Sequence, residues 1–171
     1  MLALHLSPGF APTDATPIAF TAFIFSGGEP HIKLDLPVAG NVPEPVLITQ
    51  RVTNAADFMQ VLLATDALRR AGYKQLSLML PYFPAARQDR LMVPGEPLSV
   101  RVYADLINAQ HYEHVYVYDP HSDVTPALLN NVQVIDNQLF VATVLTHFDP
   151  NRLCLVSPDA GALKKIHKLS T

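Results

Sequence analysis

Five short apolar or β-branched runs, PVLITQ (45–50), LSLML (76–80), VYVY (115–118), VQVI (132–135) and LCLV (153–156), punctuate the second two thirds of the chain. Most lack the strict alternation of a half-exposed strand, as expected for strands covered on both faces. Between the first two, Ala55, Phe58, Leu62, Thr65, Leu68 and Ala71 recur at three-to-four spacing, with Asn54 placed to cap the segment and Gly72 to end it. A second helix is expected from Pro97, with Val100, Ala104 and Ile107 on one side. QLFVATVLTHF and GALKKIHKLS supply two more, the last with Leu163, Ile166 and Leu169 as its stripe. Strands alternating with helices imply an α/β fold with a doubly wound, mostly parallel sheet and helices on both faces. In such sheets ligands bind beyond the carboxyl ends of the strands.

The first forty residues differ. LSPGFAPTDATPIAF is too rich in proline for a long helix, and FTAFIFSGGEPHIKLDLPV reads as an N-terminal hairpin turned at SGGE, where glycine accepts positive φ. A net charge of −3 over 171 residues gives no electrostatic basis for general nucleic-acid binding. The lone Cys154 excludes an intrachain disulfide and argues against a cysteine-based zinc site. No segment approaches a membrane span and no secretory leader is evident, so the expected location is cytoplasmic, with no membrane partner.

Three strand-end loops carry the chemistry. PYFPAARQDR follows LSLML: Arg87 and Arg90 can hold polyphosphate oxygens bidentately, Gln88 can read a base or ribose edge, and Tyr82 and Phe83 offer stacking faces. Read alone, the group is more often a solvated loop with a local Arg–Asp pair; its place after a strand, beside two aromatics, favours the ligand role. DPHSD offers Asp119, His121, Ser122 and Asp123, a set suited to Mg²⁺ or Mn²⁺ beside a phosphate or to ordinary loop hydrogen bonding. SPDAG, opening a helix, can present N–H groups to an anion with Asp159 holding the counter-cation, or Ser157 or Asp159 can simply cap the helix. The FSGGE hairpin tip is either a ligand contact or a plain turn.

These loops, in this order, resemble the ribose-phosphate pyrophosphokinases, or phosphoribosyl pyrophosphate synthetases. FSGGE resembles that family's Phe-x-x-Gly-Glu loop, PYFPAARQDR its ARQDR segment, DPH its Asp-x-His loop and SPDAG its Ser-Pro-Asp-x-Gly turn. The resemblance implies a phosphoribosyltransferase-like sheet and transfer of the diphosphoryl group of MgATP to ribose 5-phosphate. Carried over by position, it implies ATP binding by Phe25, Gly27, Gly28, Glu29, Arg87, Gln88 and Asp89, with Arg90 catalytic. It implies diphosphate binding at Asp159, Ala160, Gly161 and Ala162, Mg²⁺ held by His121 and Asp159, and a homodimer or homohexamer in which Phe25 and Glu29 reach a neighbour's adenine. Gly27 stands where the family has Asp, Leu91 replaces a basic residue, and Ala162 replaces a glycine.

The family's later basic catalytic loop and its acidic ribose 5-phosphate loop do not occur in the 171 residues. The expectation is therefore an N-terminal domain over 1–148 followed by the opening of a second α/β domain over 149–171, inactive without the acceptor loop. A non-catalytic regulatory relative of the synthetases is the alternative.

Overall fold

The computed structural model describes residues 1–36, 44–157, 159 and 161–170, with the side chains of 150, 164 and 168–170 outside the description, the stripe position Leu169 among them. They form two compact units, Met1–Ile135 and Asp136–Thr171.

The first unit is built on a six-stranded parallel sheet. Its strands are β1 (Leu2–His5), β2 (Thr16–Pro17), β5 (Val46–Thr49), β6 (Leu76–Leu80), β7 (Val115–Tyr118) and β8 (Val132–Ile135), in the order β2-β1-β5-β6-β7-β8. The direction of winding reverses at β1, which lies between β2 and β5. In register, Leu47 faces Ser77, Leu78 faces Val115, and Val115 faces Val132. All four residues of β5 are buried, whereas β6 and β7 bury alternate residues, Leu76, Leu78, Leu80, Val115 and Val117. Each such aliphatic side chain withdrawn from water contributes roughly 1.5–3 kcal/mol.

Helix α1 (Ala55–Arg70) forms where the sequence places it. Asn54 Oδ1 accepts the Asp57 amide at 3.0 Å, and the Asp57 carboxylate accepts from the Thr53 amide and hydroxyl at 2.8 and 2.6 Å. This reciprocal arrangement satisfies the orphan donors of the first turn. At the other end Gly72 takes φ 94°, and the Tyr73 amide reaches back to the Leu68 carbonyl, a glycine-dependent stop. The helix buries Phe58, Val61, Ala64, Thr65 and Leu68, and Phe58 meets Tyr103 edge-on at 4.8 Å. Tyr103 belongs to α2 (Ser99–Asn108), which starts two residues later than Pro97 suggested; Pro97 lines a cleft instead. The short α3 (Val124–Leu128) follows β7.

The expected hairpin is present as β3 (Ala19–Ile24) antiparallel to β4 (Pro30–Asp35), and β4 packs on α1. Three elements had no sequence signal strong enough to register: β1, β2 and α3. The second unit contains α4 (Gln138–Leu145), a single 3₁₀ turn at Pro150–Arg152 and α5 (Leu163–Ser170). Leu153–Val156, expected as a strand, is not one. It pairs with no neighbour among the described residues and leaves Val156 75% exposed. Apolar, β-branched composition favours a strand only where a pleated surface receives it.

Among the described residues no helix is long and apolar enough to cross a membrane.

Candidate functional site

β6 delivers the ARQDR segment to the carboxyl edge of the sheet, and two buried side chains anchor the turn. Phe83 is 1% exposed and Ala86 2%, so Phe83 belongs to the core and cannot act as a stacking face. It was an attractive candidate because aromatics beside arginines also suit a ligand platform; burial decides between the two uses. Tyr82 remains half exposed. Ala85 takes φ 57°, a left-handed conformation that costs a non-glycine residue about 1 kcal/mol, and its carbonyl accepts the Gln88 amide at 2.8 Å. The tight turn throws Arg87, Gln88 and Arg90 onto an open cleft of about 460 Å³, completed by Met92, Glu96, Pro97 and Ser99.

Two guanidiniums, Arg87 and Arg90, and one carboxylate, Glu96, line this cleft. Among the described residues neither Arg87 nor Arg90 makes an ion pair. The Glu96 carboxylate is occupied with the Met92 and Val93 amides at 3.2 and 3.3 Å, closing the loop around Gly95, which adopts φ 94°. Met92, Glu96 and Ser99 were not singled out from sequence; the signal for them was the short Pro-Gly-Glu-Pro return into α2. Asp89 does not line the cleft. It is half-buried between exposed neighbours, and its Oδ2 accepts the Ser122 hydroxyl at 2.6 Å. The local Arg–Asp pair is therefore not formed.

Ser122 belongs to the loop after β7. Asp119 there adopts φ 41°, a conformation aspartate tolerates better than most residues, and donates its amide to Ile135. His121 is exposed. No group of three or more His, Cys, Asp or Glu side chains among the described residues is arranged to hold a metal ion. Mg²⁺ in phosphate-transfer sites ordinarily takes one or two protein donors and completes its octahedron with phosphate oxygens and water, so single donors in this loop suit a nucleotide-borne cation.

The hairpin tip presents a second surface. The Gly28 amide donates to the Phe25 carbonyl, the Phe25 amide donates to the Glu29 carbonyl, and Gly28 takes φ 94°. Phe23, Phe25 and His31 form a mutual ring cluster with centroids 4.8–5.4 Å apart on the solvent side. Glu29 is exposed beside it, and a side chain at Gly27 would meet the Glu29 carboxylate at 2.5 Å.

In the second unit, Asp159 Oδ1 accepts the Ala162 amide at 2.8 Å and its backbone carbonyl accepts Ser157 Oγ. Ala162 in turn accepts the first helical bond, from Ile166. Asp159 thus closes the turn that leads into α5, and a Cβ at Gly161 would press to 3.3 Å of its carboxylate. Ala160 lies outside the described residues.

A family profile describing the N-terminal domain of ribose phosphate pyrophosphokinase matches residues 13–110. The chain is 31% identical over 153 residues to a ribose-phosphate pyrophosphokinase of Agrobacterium fabrum, covering 85% of this chain and 47% of that one. It is also 31% identical over 117 residues to that of Pyrococcus abyssi, covering 67% and 40%. The crystal structure of phosphoribosylpyrophosphate synthetase from Mycobacterium smegmatis superposes with a TM-score of 0.81 at 27% identity, covering 99% of this chain and 59% of that one. The chain spans about half the length of the curated relatives it matches.

Proposed function

The chain belongs to the ribose-phosphate pyrophosphokinase family, aligning with its N-terminal domain, and we propose on that premise that it supplies the nucleotide site of an enzyme making phosphoribosyl pyrophosphate. The carrying observation is the cleft after β6, lined by two guanidiniums that make no ion pair among the described residues and by the Gln88 amide. Arg87 and Gln88 hold the ATP, and Arg90 faces the phosphates where charge shifts during transfer. The 1-hydroxyl oxygen of ribose 5-phosphate gives its proton to the solution and forms a bond to the β-phosphorus of ATP, the bond from that phosphorus to the oxygen it shares with the α-phosphorus breaks, and AMP leaves with that oxygen. Such a reaction asks for positioning and charge neutralisation, not for a covalent nucleophile, and the cleft residues are of that kind.

Mg²⁺ arriving with the nucleotide would neutralise phosphate charge; His121 is a proposed magnesium donor of the first unit and Asp159 one of the second. Asp159, Ala160, Gly161 and Ala162 form the proposed diphosphate turn. Phe25, Gly27, Gly28 and Glu29 are the proposed adenine contacts to a neighbouring copy, which makes self-association part of this reading, as is a cytoplasmic setting.

Titration calorimetry with MgATP tests it directly. Arg87→Ala should weaken binding by at least about tenfold, since a charge-assisted phosphate contact is worth roughly 1.5–3 kcal/mol. Unchanged affinity would remove the cleft from the nucleotide site. The full-length native protein should release AMP from MgATP only when ribose 5-phosphate is present. ATP binding without AMP release would point to a regulatory, non-catalytic subunit.

A further inference from the structure

We propose that Ser122 is a positioning residue for nucleotide binding, tying the loop after β7 to the arginine segment after β6 through Asp89. The inference rests on the cleft being the ATP site, and deepens that reading by assigning Asp89 a different job from its neighbours. Arg87, Gln88 and Arg90 all line the cleft; Asp89, in the middle of them, does not. Its carboxylate is turned to the Ser122 hydroxyl, 33 residues further along the chain, at 2.6 Å. The bond is a hydroxyl donating to a carboxylate, the stronger class of hydrogen bond, and it is half-buried, where competition from water is reduced.

The geometry makes that contact consequential. The segment carries a left-handed Ala85 and hangs between two buried anchors, Phe83 and Ala86, and the Gln88 carbonyl, which meets the Val100 amide only at a long 3.5 Å. Beyond Gln88 nothing buried fixes the backbone until α2, for Leu91, Met92 and Val93 are 60, 69 and 55% exposed. Asp89 sits at the point where the anchored part of the loop ends. Holding it fixes the side on which Arg87 and Arg90 emerge and spares the ligand the cost of ordering them, which otherwise lowers affinity. Ser122 itself lies one residue from His121, so the same hydroxyl fixes the spacing of the two loops.

The experiment compares wild type, Ser122→Ala, Ser122→Thr, Asp89→Ala and the Ser122→Ala/Asp89→Ala pair in the full protein, titrated with MgATP and with AMP. Ser122→Ala should lose about tenfold in ATP affinity, the fold-change matching loss of one charge-assisted hydrogen bond, and about twofold or less for AMP. Ser122→Thr should recover to within about twofold of wild type, and the double variant should bind no worse than Asp89→Ala, because paired residues couple rather than add. Loss for both ligands alike, no rescue by threonine, or additive losses would overturn the proposal. Trypsin supplies a ligand-free measurement: Ser122→Ala should speed cleavage after Arg87 and Arg90 with the melting temperature lowered by no more than a few degrees. If wild type binds no MgATP, the site assignment falls; an unchanged tryptic rate then separately rejects the tie.

Discussion

At the scale of single residues, the most constrained hydroxyl pair lies in the core, away from the cleft. Thr65 Oγ1 donates its one proton to the Val61 carbonyl at 2.8 Å, so in its short contact with Tyr112 the phenol must be the donor. Ionising Tyr112 would remove that proton and leave a buried anion, to which Thr65 can donate only by giving up its bond to Val61. Burial pushes this phenol up to about 12, the Thr65 bond and the Arg69 charge pulling only partly back. A folded value above the unfolded one of 10 means that the unfolded chain releases its proton first as pH rises. The contribution is complete below pH 10 and is lost between pH 10 and about 12. Denaturant titrations should show wild type losing up to about 1.4 kcal/mol per pH unit more than Tyr112→Phe across that window, and the same slope below it. The chain contains no tryptophan, so far-UV circular dichroism is the suitable readout.

Elements show where sequence patterns suffice. Helix α1 was legible because its cap, stripe and glycine stop each act on residues within a turn or two, and Phe58, near its start, is 4% exposed. Phe58→Ala should destabilise the first unit by about 3–5 kcal/mol in chemical denaturation, by removing the ring and its edge contact to Tyr103. β1 and β2 were not legible. LALH is four residues long and TP two, and their strand character comes from pairing: Leu2 with Thr16 and with Val46. Leu153–Val156 erred in the opposite direction, having composition without a partner. The cleft divides in the same way. Arg87, Gln88 and Arg90 were identifiable because guanidiniums after a strand are chemically conspicuous. Phe83 and Asp89 carry equally suggestive side chains but point to the core and to Ser122, and direction is set by the Ala85 turn, which no residue type announced.

The whole molecule divides between Ile135 and Asp136. All strands of both sheets lie in the first unit, together with α1, α2, α3 and the buried core. Residues 1–135 produced alone should therefore fold cooperatively, with coincident far-UV and tyrosine transitions in urea; non-coincident or gradual unfolding would show that the sheet depends on the remainder. The strand order carries a kinetic consequence too. β1 sits inside the sheet, yet its partner β5 comes much later in the chain, His5 and Thr49 being 44 positions apart. Closing a loop of that length before any contact rewards it is slow. The β3–β4 hairpin lies within that loop and brings Ala19 opposite Asp35, so once formed it takes the stretch between those two residues out of the loop to be closed. The same hairpin that presents Phe25 and Glu29 would then act earlier in the protein's life, as the local fold that shortens the search of the first strand for the third strand of its sheet.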